Sequence, residues 1–240
     1  MTATPEPTAT TTPVTDPTVT PTETPLTNPT ATPTPTVTPS PSPSPNSPDT
    51  EDHTLVLQRS ASYAGVTDTY IESRQPRANY DWSQSLRVSD DGSVASLLRF
   101  DLSTVPAMAE IVEATLKLYV VLDAPAGQNI SLACFEVRRP WISKEAHWRR
   151  ARKEHPWGKP GCNDVLNDRA ADAVSTQTIK PGKGWYTIDV TAAVRDWVSD
   201  RSSNHGLLLR GQGTTKAVCS FFSSEYWSAD MRPQLIIKYR

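Results

Sequence analysis

The stretch RRPWISKEAHWRRARKEHPWGKPG, from Arg138 to Gly161, gathers the side chains best suited to recognising an anion. Arg138, Arg139, Lys144, Arg149, Arg150, Arg152, Lys153 and Lys159 face only two carboxylates there, Glu145 and Glu154. Three tryptophans, Trp141, Trp148 and Trp157, are interleaved with them. An arginine fork grips a carboxylate through two parallel hydrogen bonds, while an aromatic face packs on a sugar ring. The composition suits an acidic polysaccharide, with Arg138, Trp141, Lys144, Trp148, Arg149 and Arg150 as candidate ligand-binding residues. It suits equally a long loop whose tryptophans pack beneath it and whose charges are simply solvated. A nucleic-acid backbone would use the same residue types, but it is not the expected partner.

Two further groups could do chemistry. Tyr80 and Trp82 near one end of the folded part and Tyr226 and Trp227 near the other would form a single aromatic platform if the first and last strands are neighbours. Oxygens of Asp68, Asn79, Asp81 and Glu225 suit a structural calcium, which takes six to eight oxygen ligands. No cofactor is required. Asn163, Asp164, Asn167 and Asp168 lack the D-x-D-x-D-G spacing of a calcium loop. Where no calcium binds, the acids of both groups are expected to cap turns or pair with Arg169 and Arg232.

The residues give little support to catalysis. The four histidines are scattered, and no G-x-S-x-G, H-E-x-x-H or phosphate-loop pattern occurs. A Cys162–His155 pair and a lyase that uses Tyr, His and Arg without a local motif are the minor alternatives. The expected domain is not an enzyme.

These residues need a scaffold. From Thr54 onward short runs recur: TLVLQ, DTYIES, SLRVS, ASLLRFDL, ATLKLYVVL, ISLACFEV, GWYTIDV, GLLLRG, VCSFFSS and QLIIKY. In ATLKLYV, Leu116, Leu118 and Val120 share one face and Lys117 and Tyr119 the other, the period of a half-buried strand. About ten such strands without alternating helices predict an all-β protein, a jelly-roll-like β-sandwich with one short helical insert. The insert is WYTIDVTAAVRDWV, in which Val190, Val194, Trp197 and Val198 follow a helical stripe. Thr191 is expected to cap the helix and Trp197 to plug an open end of the sandwich. Trp185, Asp189, Thr191 and Trp197 are therefore read as structural.

Residues 1–50 differ in kind. They hold 14 of the 22 prolines among threonines and serines, with no Lys or Arg and hardly any large apolar side chain. Such a chain cannot bury enough surface to fold. A disordered Pro/Thr-rich linker is expected, with polyproline II stretches of about 3.1 Å per residue, joining the 51–240 domain to other domains. Without its four acids the remainder has 24 basic and 22 acidic side chains, so net charge selects no partner. Three widely spaced cysteines allow at most one internal disulfide, and Cys134 and Cys219 lie in apolar runs that suit burial. No window is apolar for long enough to span a membrane. Met1 is followed by TATPEP rather than a signal peptide. A secreted or surface protein read from a fragment or a misassigned start is the expectation.

The series DTYI, LLRFDLSTVP, IVEATLKLYV, WYTIDVTAAVRDWV, NHGLLL and SFFSSEYWSADMRPQLIIKY resembles the DNRLRE domain. That group overlaps carbohydrate-binding module family 96 and the disaggregatase-related β domains. The resemblance runs from about Thr67 to Tyr239. Departures fall in the loops, at Asn79-Tyr80-Asp81-Trp82, in Trp141 to Trp148 and at Cys162. The resemblance implies a non-catalytic extracellular or cell-surface module that binds polysaccharide, uronate polymers included. A structural or adhesive module without a glycan ligand is the alternative.

Overall fold

The computed structural model describes residues 51–122 and 128–240. The expected spacer, residues 1–50, lies outside the described residues. In chain order the strands are β1 (His53–Gln58), β2 (Val66–Glu72), β3 (Ser85–Ser89), β4 (Val94–Phe100), β5 (Ile111–Leu122), β6 (Ile130–Glu136), β7 (Arg150–Arg152), β8 (His155–Pro156), β9 (Ser175–Ile179), β10 (Gly184–Asp189), β11 (Leu207–Gly211), β12 (Val218–Phe222) and β13 (Gln234–Tyr239). One α-helix, α1 (Thr191–Ser199), follows β10.

Two antiparallel sheets pack as a sandwich, as the period-two runs predict. One, of six strands, is built on the long β5. Its first half pairs with β13 and its second half with β12, while β10 takes the opposite edge. β1 extends β13, and β3 extends β12. The other sheet runs β2-β4-β11-β6-β9, and β7 pairs with β8 in a separate two-stranded ladder.

Alternation along β5 sends Leu116, Leu118 and Val120 inward to meet Leu98, Leu132, Leu207 and Leu209 of the facing sheet. Fully burying such a side chain contributes about 1.5–3 kcal/mol relative to leaving it in water. The five-stranded sheet is covered on its other face too. Ala95, Leu97, Phe135 and Leu208 point outward into a second core with Val137, Trp141, Ala146, Ala151, Trp157 and Cys162. The chain between β6 and β9 is thus a cover on this sheet. Burial on both faces explains why ASLLRF, ISLACFE and GLLLR are almost unbroken apolar runs.

The insert packs as its stripe predicts: Val190, Ala193, Val194, Trp197 and Val198 all enter the inter-sheet core. The cap differs. The Asp189 carboxylate, not Thr191, accepts the Thr191 N–H (2.9 Å) and hydroxyl (2.6 Å). Those bonds hold the Asp189 carboxyl below its usual range. Thr191 Oγ1 instead accepts the Ala114 N–H at 2.9 Å, tying the helix to β5. Trp185 lies on the outward face of the six-stranded sheet, 37% exposed. After the helix, Asn204 Nδ2 donates to the Phe100 carbonyl at 2.9 Å. Gly206 then turns with φ +80°, where a Cβ would stand 2.4 Å from the Leu98 carbonyl oxygen.

Candidate functional site

The cover is held from within by Asp168. Its buried carboxylate accepts the Arg139 Nε–H (2.8 Å) and the backbone N–H groups of Gly158 (2.8 Å), Lys159 (3.1 Å) and Asp164 (3.1 Å). Four donors on one carboxylate fix parts of the loop that are distant in sequence. This corrects the expected ion pairs. Arg169 instead lies over the Phe135 ring at 4.0 Å, and Arg232 donates to the carbonyls of Tyr226 and Arg59.

The tryptophans of the cover belong to its framework. Trp141 and Trp157 are buried, and their indole N–H groups donate to the carbonyls of His205 (2.7 Å) and His147 (2.9 Å). Trp141 is thus not a ligand-stacking ring, contrary to the expectation. Trp148 is half-buried against the outer core. Gly161, at φ +85°, lies so close that a Cβ would stand 2.5 Å from the Trp148 ring.

With its tryptophans turned inward, the cover presents cations. Arg149 and Arg150 line a pocket of about 430 Å³ with His147, Glu154, His155, Pro156 and Arg77. Arg77 comes from the segment joining β2 to β3, and nothing in SRQPRANY singles it out. Arg150 Nε donates to the Glu145 carbonyl at 3.2 Å, which fixes one edge of that guanidinium. His147 Nδ1 accepts the Arg149 N–H at 3.1 Å. Burial, and then the charges of Arg150, Arg77 and Arg149, lower the His147 pKa. Among the described residues, no carboxylate lies within ion-pair distance of Arg77, Arg149 or Arg150.

The other expected residues separate. Lys144 and Trp82 line a second cleft, about 400 Å³, with Arg59, Asp68, Asp81 and Glu225. Trp82 is 76% exposed there. Asp68 is buried and accepts the Ser224 N–H at 2.7 Å. Burial, aided by the charge of Glu225, pushes its carboxyl up to about 7. Glu225 pairs with Arg59. Asn79 turns away, donating to the carbonyls of Ser143 (2.6 Å) and Ala146 (2.8 Å). Among the described residues, no group of three or more His, Cys, Asp or Glu side chains is placed to hold a metal ion. Arg138 is exposed and lines neither space.

The single aromatic platform is not formed. Tyr80 stacks on the buried Tyr70, with ring centroids 4.0 Å apart. Tyr226 and Trp227 instead end a row of rings on the outward face of the six-stranded sheet. In that row Trp185 meets Tyr119 edge-on at 5.4 Å, Tyr119 meets Phe222 at 5.7 Å, Phe222 meets Tyr226 at 3.6 Å, and Tyr226 meets Trp227 at 5.4 Å.

The three cysteines are free and buried. Burial raises the Cys162 thiol well above its usual range, and His155 is exposed, so the two do not form a nucleophilic pair.

A β-sandwich with polar clefts and surface aromatic rings is a scaffold for ligand recognition. The chain matches the model of carbohydrate-binding module family 96 over residues 59–239 and belongs to that family. Modules of this class are typically non-catalytic. No curated protein matches the chain. No helix among the described residues is long and apolar enough to cross a membrane.

Proposed function

We propose that this carbohydrate-binding module acts outside the cell, without catalysis, and prefers acidic polysaccharide. The supporting observation is the convergence of Arg77, Arg149 and Arg150 on one pocket whose single carboxylate, Glu154, forms an ion pair with none of them, nor does any other carboxylate among the described residues. Unpaired guanidinium groups are matched in charge and geometry to the carboxylate of a uronate. The Trp82 cleft does not share this character, because Asp68, Asp81 and Glu225 line it beside Arg59 and Lys144, and Arg59 is paired with Glu225. Oxygen ligands for calcium are not needed at the arginine pocket, so binding there proceeds without a metal.

The test is a binding isotherm of the full chain on polygalacturonate and alginate, at low and high salt, with calcium and with chelator. Affinity should fall as salt rises, because exposed charges are screened within about 8–10 Å. It should be the same with chelator. Changing Arg149 and Arg150 to Ala should weaken it about tenfold or more, since each charged hydrogen bond contributes about 1.5–3 kcal/mol. Undiminished uronate binding by that variant would overturn the assignment.

A further inference from the structure

The outward face of the six-stranded sheet carries a feature unlike the arginine pocket. Trp185 on β10 stands opposite Tyr119 on β5, and Phe222 follows on β12. Tyr226 and Trp227 continue the line beyond β12. All three strand residues point away from the core that takes their neighbours Leu118, Val120, Ile188 and Phe221. The row therefore crosses the strands.

Its rings are unequally exposed. Phe222 is buried and Tyr119 and Tyr226 are half-buried, whereas Trp185 is 37% and Trp227 74% exposed. Close stacking of Phe222 and Tyr226 holds up the rings beside them. A supported row ending in two exposed indoles is not needed for packing, and exposed aromatic patches of this kind mark binding surfaces. Two residues along each strand from the row stand Thr187, Lys117, Val121 and Ser220, none of them a carboxylate. Lys117 lies over Trp185, with its Nζ 4.9 Å from the ring centroid.

We infer that this row is a second polysaccharide-binding face, taking the apolar faces of uncharged pyranose rings. Apolar ring faces with few charges recognise a sugar by stacking, and they offer no array of forks for a uronate. The arginine pocket lies on the cover of the five-stranded sheet, while the row lies on the other sheet. The module therefore holds two chains at once, an acidic one at the cover and an uncharged one at the row, and bridges them.

The experiment uses the full chain and binding isotherms on three uncharged polysaccharides, hydroxyethylcellulose, xylan and galactomannan, with polygalacturonate as the acidic reference. At least one uncharged glycan should bind with an affinity unaffected by salt. Trp227→Ala should weaken that binding about tenfold or more. The double Arg149→Ala, Arg150→Ala variant should leave it unchanged. Trp227 is exposed enough for its variant to fold, and unchanged unfolding midpoints would verify this. Three results would each overturn the inference: no binding to any uncharged glycan, undiminished binding by both Trp227→Ala and Trp185→Ala, or a wild-type dimer that Trp227→Ala converts to monomer. The polygalacturonate arm reads the acidic site separately, so failure of one face does not decide the other.

Discussion

Arg139 and Asp168 meet at 2.8 Å, with the carboxylate fully buried and the guanidinium side chain 27% exposed. They lie 29 positions apart in the chain, and the same carboxylate takes three backbone N–H groups of the cover. Asp168→Asn keeps the shape but removes the charge that these donors share. A loss of about 3 kcal/mol is expected, as for other buried pairs deprived of one partner. Urea unfolding of the variant measures it, and an unchanged midpoint would show that the cover is held by its apolar contacts alone.

Trp197 and Trp82 offer a contrast between packing and surface. Trp197→Ala should cost about 3–5 kcal/mol, because the indole fills the core beneath α1. Trp82→Ala, at a ring 76% exposed, should stay within about 0.5 kcal/mol of wild type. Thermal unfolding of the two variants would reveal equal losses if the insert were not a plug.

Asp68 sets a pH dependence opposite to that of a surface carboxylate. Its carboxyl is raised from 3.8 to about 7, mainly by burial. Between those values the unfolded chain has lost the proton and the folded chain keeps it. Folding takes up a proton there, so the Asp68 contribution falls as pH rises from about 4 to 7 and is constant above. Asp68→Asn, whose amide oxygen still accepts the Ser224 N–H, should flatten that slope and gain stability relative to wild type at pH 8. Unfolding free energies measured at pH 5 and pH 8 would contradict this if the variant kept the wild-type slope.

Gly206 occupies a conformation that a side chain resists. At φ +80°, with a Cβ 2.4 Å from the Leu98 carbonyl oxygen, Gly206→Ala combines backbone strain with a clash between β4 and β11. A loss of about 3 kcal/mol or more is expected. A melting temperature equal to wild type would mean that the turn relaxes freely.

Changing Arg149 and Arg150 to Ala should cost no more than about 1.5 kcal/mol, because neither forms an ion pair among the described residues and the hydrogen bond given up is that of Arg150 Nε to the Glu145 carbonyl. Chemical unfolding is the check. A marked loss would give these arginines a packing role through their aliphatic stems.

Much of the scaffold is legible in the residues. Strict alternation in ATLKLYV places β5, and the stripe from Val190 to Val198 places α1. β9, STQTI, escapes notice because a polar edge strand carries no apolar period, and the short β7–β8 ladder has no pattern at all. The candidate site is less legible, for a definite reason. Composition shows that cations and tryptophans share a loop but not which of them face inward, and Trp141 is buried where a ligand-stacking ring was expected. Arg77 is separated from Arg149 in the chain by the four strands β3 to β6 and meets it only in three dimensions.

The second core also bears on how portable the arginine pocket is. Trp141, Trp157 and Cys162 of the cover rest on Leu97, Phe135 and Leu208 of the sheet, so neither partner is dry without the other. Residues 137–174 are therefore no detachable cassette. A graft of this pocket onto another sandwich would have to carry the outward faces of β4, β6 and β11 with it.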